Sequence, residues 1–122
     1  MVTEDYVSFE TAQLLKEKGF KCEPLHYYYD KYGNLLFSAW SVNLTKNEFG
    51  APTLEMAIKW LRNEKGIAII PIIDSILDNE RFLWDIKIVV AKTNETYSQG
   101  WIYENPEGGY DRAIKYCLEN LV

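Results

Sequence analysis

The sequence predicts an α+β fold. The expected form is a two-layer sandwich, with a mostly antiparallel sheet of about five strands and three helices, in the order α-β-β-α-β-β-β-α. Three observations predict it. A short phrase recurs as Ser8-Phe9-Glu10-Thr11-Ala12, Thr53-Leu54-Glu55-Met56-Ala57 and Gly109-Tyr110-Asp111-Arg112-Ala113. Each has a small or hydroxyl residue, an acid two positions later and a closing alanine, which is the grammar of a helix start. Between the phrases lie β-branched and aromatic runs, the clearest being the alternation Phe82, Trp84, Ile86, Ile88, Val90. The turns between these runs are short, and short turns favour antiparallel neighbours.

The elements follow in order. Ser8 has the hydroxyl of an N-cap, Glu10 puts negative charge near the positive end of the helix dipole, and Gly19 is a natural stop after Lys16 and Lys18. Leu25 to Tyr29 reads as a strand, Asp30 to Asn34 as a turn, and Leu35 to Val42 as the returning strand. Asn43 to Ala51 reads as a polar loop. Pro52-Thr53 opens the second helix, whose stripe of Leu54, Ala57, Ile58 and Leu61 has helical spacing, and Gly66 ends it. Ile67 to Ile73 reads as a buried strand in which Pro71 demands an edge or a bulge. Asp74 to Glu80 reads as a loop. The strand from Phe82 to Val90 turns at Thr93-Asn94-Glu95 and returns as Tyr97 to Tyr103. Gly108-Gly109 precedes the last helix, whose apolar face is Tyr110, Ala113, Ile114, Cys117, Leu118 and Leu121.

Residues 1–122 read as a single α+β domain, long enough to bury a core without disulfides or metal. The net charge of −5 disfavours nonspecific binding to nucleic-acid phosphate. The N-terminus carries acids and no apolar signal stretch, and no apolar run approaches the length of a membrane span, so a cytoplasmic protein without membrane contact is expected. In that compartment Cys22 and Cys117 are expected as thiols, with Cys117 a small buried apolar group on the last helix.

Catalytic chemistry finds no constellation. His26 is the only histidine. Cys22, His26, Asp30 and the distant Cys117 lack the spacing of a zinc set. Cys22 and His26 on one extended strand stand roughly 13 Å apart, too far to pair. The carboxylates fall in loops and helix starts, and Gly108-Gly109 lies between acids that repel phosphate. No catalytic, cofactor-binding or metal residue is therefore expected, and no cofactor. Aromatic residues make up 15% of the chain, more than one core face needs. Tyr28, Trp40, Tyr97 and Trp101 are the rings expected to stay partly exposed and to form an interaction surface for another protein or a second copy. The reading is a small noncatalytic interaction protein. The alternative is a nucleic-acid-binding module with stacking rings on the sheet and Lys16, Lys18, Lys21, Lys59, Arg62 and Lys65 on the helices.

The stretches EDYVSFETAQLLKEKGF (from Glu4), APTLEMAIKWLRNEKGI (from Ala51) and YDRAIKYCLENL (from Tyr110) resemble a group of small proteins encoded by Bacteroidetes phages, prophages and mobile elements. The resemblance implies a bacterial or phage-infected cytoplasm and an accessory role. It carries over no activity, cofactor or catalytic residue.

Overall fold

In a computed structural model, residues 6–21, 26–38, 44–98, 100 and 102–122 are described. Cys22, Leu25, Trp40 and Trp101 lie outside the described residues, as does the predicted strand beyond Ser38. The described elements are α1 (Phe9–Glu17), β1 (Tyr27–Tyr29), β2 (Leu35–Phe37), β3 (Phe49–Gly50), α2 (Leu54–Lys65), β4 (Ile67–Ile76), β5 (Phe82–Val90), β6 (Glu95–Ser98) and α3 (Glu107–Asn120). No helix among the described residues is long and apolar enough to cross a membrane.

The α+β class and the antiparallel pairing hold, but the single sheet does not. Six described strands form two three-stranded antiparallel sheets, ordered β2-β1-β3 and β4-β5-β6. The additional strand is β3, inside the expected polar loop, where Phe49 pairs with Tyr29 and Gly50 with Tyr28. The returning strand from Leu35 is shorter than expected, ending at Phe37. On the far side, β6 ends at Ser98, and Tyr103 meets Trp84 as an isolated bridge.

The first two recurring phrases do start helices. The Ser8 hydroxyl accepts from the Thr11 amide at 3.3 Å, and the Thr53 hydroxyl from the Met56 amide at 3.2 Å. Gly19 closes α1 with φ 94°, where the Phe20 amide reaches the Leu15 carbonyl and the Gly19 amide the Lys16 carbonyl. The third phrase is different. α3 begins at Glu107 after Pro106 at the N-cap position, and Asn105, one residue earlier, accepts from the Gly108 amide through its Oδ1 at 3.1 Å.

Gly109 is therefore inside the helix, and buried. A Cβ there would lie 2.6 Å from one ring carbon of Tyr103 and 2.8 Å from Cγ1 of Ile86. The missing side chain lets α3 lie directly on β5. The alanines that end each phrase, Ala12, Ala57 and Ala113, are all buried where their helices meet other elements.

Asp111 has left helix-start duty for a tertiary one. Its Oδ1 accepts from the Ser8 amide at 2.7 Å, and its Oδ2 from the Thr11 hydroxyl at 3.2 Å. It caps α1 from the side of α3. Lys115 pairs with Glu10 one turn further along the same seam. The Tyr29 hydroxyl donates to the Val7 carbonyl at 2.5 Å beside them. Burial holds the Tyr29 phenol above the usual tyrosine range, and the Asp111 carboxylate adds to the effect.

Three carboxyls sit below their usual range: Glu10 through Lys115, Asp30 through the Asn34 amide and Asp78 through Arg81. Depressed values of this kind stabilise the fold above the unfolded carboxylate range near ~4 and lose that contribution as pH falls through the lower folded values.

One core cluster joins both halves. Val7, Ala12, Leu15 and Tyr29 meet Leu54, Ala57, Leu61, Ile67, Ile69, Ile86 and Ile88 through Ala113, Ile114, Cys117 and Leu118 of α3. α2 and α3 lie on the second sheet, and α1 lies between α3 and the first sheet. This arrangement replaces the expected set of three helices over one face.

Two substitutions test the joints. Gly109→Ala should destabilise the fold by about 1–3 kcal/mol through overpacking, although alanine favours helix by about 1 kcal/mol. Gly108→Ala, whose nearest atoms would be 3.6 Å away, should be neutral or stabilising. Urea unfolding measures both, and a Gly109→Ala variant as stable as the parent would refute the close approach. By the same measurement, Asp111→Ala should cost about 1–2 kcal/mol, as removal of a helix cap does.

Candidate functional site: an acid-rimmed apolar overhang

The second sheet is longer than the helices that cover it. β4 has ten residues and rises roughly 33 Å, while α2 has twelve and rises only roughly 18 Å. β4 pairs with β5 in the register Ile67↔Val90, Ile69↔Ile88, Pro71↔Ile86 and Ile73↔Trp84, all on the helix-facing side. A bulge at Asp74 then resets the alternation, so that Ile76 meets Phe82 on the same side. The near end of this stripe is core: Ile67, Ile69, Ile86 and Ile88 are buried. The far end is bare. Ile73 is 53% exposed and Ile76 73%, with Leu77 and Phe82 exposed beside them. Phe82 meets the half-buried Trp84 edge to face, with centroids 6.2 Å apart.

The turn that holds this end is firmly built. The Leu77 amide donates to the Arg81 carbonyl at 2.9 Å, and Asp78 takes the Glu80 amide at 3.0 Å and the Arg81 guanidinium at 2.5 Å. The expected loop from Asp74 to Glu80 is thus partly strand. Its two apolar residues, Ile76 and Leu77, join Ile73 at the end of the expected strand in a surface that the periodicity alone does not reveal. The available signal was the presence of large aliphatic residues among Asp74, Asp78 and Glu80, where a solvated loop needs none.

The edge of β4 is closed to further strands. Trp84 exchanges both backbone hydrogen bonds with Tyr103, on the side of β5 away from β4. Alternation sends the groups of Ile86 the same way, so Pro71 and Ile86 form a pair without ladder bonds. The missing N–H of Pro71 then falls on the free edge, at no cost to the sheet. With the bulge three residues on, it interrupts the template that another strand would need. The edge position expected for Pro71 is the one found.

The predicted interaction rings are not brought together on one sheet. Tyr28 is half-buried on central β1, between Leu36 and Gly50. Tyr97 is half-buried on β6 of the other sheet, where its ring lies 6.2 Å from Tyr116 and its hydroxyl donates to Glu95 at 2.8 Å. That bond to Glu95 raises its phenol above the usual range. Trp40 and Trp101 lie outside the described residues.

His26 is held by one carbonyl. Its Nδ1 lies 3.0 Å from the Ser38 oxygen, which can only accept, so Nδ1 carries the proton. Among the described residues no group of three His, Cys, Asp or Glu is placed to hold a metal ion. Asp30 is spent on its own turn, accepting from the Tyr32 and Asn34 amides at 2.9 Å. Two helix lysines are committed as well. Lys16 donates to the Thr45, Lys46 and Glu48 carbonyls and lies over the Phe49 ring, and Lys18 donates to the Val122 carbonyl. No protein-family model, curated protein or solved structure matches this chain.

Cys117 is fully buried, and burial pushes its thiol up to about 12. It should resist thiol reagents at mildly alkaline pH until the protein unfolds. Peptide mapping by mass spectrometry, with and without denaturant, reads this out. Labelling of Cys117 at the native rate of a free thiol would overturn the assignment of an inert core group.

Proposed function

We propose that the chain is a small noncatalytic protein-binding module, in keeping with an accessory role in a phage or mobile element and a cytoplasmic setting. The observation that carries this reading is the bare far end of the β4–β5 stripe. Large exposed aliphatic and aromatic side chains side by side, continuous with a packed core and held by a rigid turn, are the usual mark of a contact surface. Phe82 and Trp84 add rings of the kind that anchor protein interfaces. The half-buried Tyr28 of the first sheet remains a second candidate contact. The nucleic-acid alternative is weakened by the engagement of Lys16 and Lys18 with backbone carbonyls, which takes two cations out of the expected basic cluster.

Site-specific photocrosslinking tests the reading. A benzophenone amino acid at position 76 should give a discrete adduct with another protein in the native host, and one at Lys59 on the exposed face of α2 should not. Equal adducts at both positions, or none at 76, would remove this surface from consideration. A nuclease-sensitive adduct would favour the nucleic-acid alternative.

A further inference from the structure

Resting on that reading of the overhang, we infer that its occupant is a cationic amphipathic helix of a different protein. The first argument is shape. Along the stripe, each covered position is filled by a helix, α2 or α3, lying on the helix-facing side of the sheet. Ile73, Ile76 and Phe82 continue that side beyond the ends of those helices. The surface on offer is a face, and a helix is the element that completes this layer. A strand is disfavoured because Pro71 and the bulge at Asp74 break the edge it would pair with.

The second argument is charge. Residues 73–82 carry Asp74, Asp78 and Glu80 against Arg81 alone, a net of −2 from three acids and one base. All three acids are exposed, and Arg81 is already paired with Asp78. Tyr103 bridges to Trp84, which brings the segment with exposed Glu104 and Glu107 to the same end of the sheet. An apolar centre with an acidic rim is complementary to apolar residues flanked by Lys and Arg. A second copy of this chain would press one acidic rim against another, in a molecule whose net charge is already −5. Juxtaposed like charges disfavour that partner.

The probe is a labelled peptide ~18 residues long, about five helical turns, with Leu on one face and Lys on the other. A counterpart has Glu in place of each Lys. Fluorescence anisotropy is read with the full chain, and sedimentation gives its own oligomeric state. The Lys peptide should bind, and binding should weaken steeply between ~50 and ~300 mM salt. Ile76→Ser with Phe82→Ser, which leaves the charge unchanged, should weaken it at least ~tenfold. Asp74→Asn with Glu80→Gln, which leaves the apolar surface unchanged, should weaken it several-fold. The Glu peptide should not bind, and the chain should sediment as a monomer.

Equal binding of both peptides would overturn the cationic assignment. So would Lys-peptide binding that ignores the Ile76/Phe82 variant, or failure of the Lys peptide to bind. Self-association abolished by that variant would replace the foreign helix with a second copy. In each of these cases the crosslink at position 76 still decides separately whether the overhang is an interaction surface.

Discussion

The Asp111 carboxylate is the point on which the two halves of this fold depend. It stands on α3, and it satisfies the amide of Ser8 and the hydroxyl of Thr11 at the start of α1. Next to it, Val7 is fixed from two sides: its carbonyl takes the Tyr29 hydroxyl and its amide reaches the Pro52 carbonyl. Segments around residues 7–11, 29, 52 and 111 therefore meet at one polar junction, with Val7 and Thr11 fully buried. Buried polar groups are costly when unpaired, so such a junction tolerates few alternative arrangements. It sets how α1 approaches α3, and α3 in turn lies on the second sheet. Among the described residues the two sheets share no ladder. They are held in one core because they share a helix.

Close approach makes that sharing possible. Gly109 lets α3 touch Tyr103 and Ile86, and Ala113, one turn later, leaves room at its contacts in the same core. Larger residues at either position would lift α3 from β5 or from α1, and both contacts are needed at once. The covered length of the second sheet is then set by the short helices upon it. β4 and β5 outrun them, and the stripe that is core at Ile88 is surface at Ile76. The candidate site is thus a consequence of element length, with its acidic rim supplied by the turn that closes the hairpin.

Much of this was legible in the sequence, and the failures have physical causes. Ser8, Gly19, Thr53 and Gly66 marked α1 and α2 because caps act within a few residues. β5 was legible because its alternation is unbroken from Phe82 to Val90. Pro71 declared an edge through a missing donor. β3 was invisible because two residues have no period, and Phe49 stands among polar neighbours. The start of α3 was misplaced because Gly108-Gly109 reads as a breaker, whereas Gly109 is there to clear Tyr103 and Ile86, contacts that no local rule contains. The bulge at Asp74 hid the end of β4, since a shifted alternation reads as a loop. Aromatic content pointed to Tyr28 and Tyr97, but the long exposed aliphatic surface came from register, which depends on both strands.

Exposing an apolar sheet end carries a hazard, and the hairpin is built in a way that limits it. A bare stripe with an open edge would invite copies to join strand to strand. Pro71 places its missing donor on that edge, and the bulge at Asp74 disturbs the spacing of the groups beyond it. Asp74, Asp78 and Glu80 put like charge in the same segment as the exposed apolar side chains, so two copies meeting there would face repulsion. These features add nothing to the core, and Asp74 and Glu80 take part in no ion pair among the described residues. Their common effect is to leave the face accessible while closing the edge and discouraging self-contact. Blocked edge, acidic turn and bare apolar face meet at one end of the hairpin, and each traces to named residues: Pro71, the turn from Asp74 to Glu80, and the register that sets Ile76 beside Phe82.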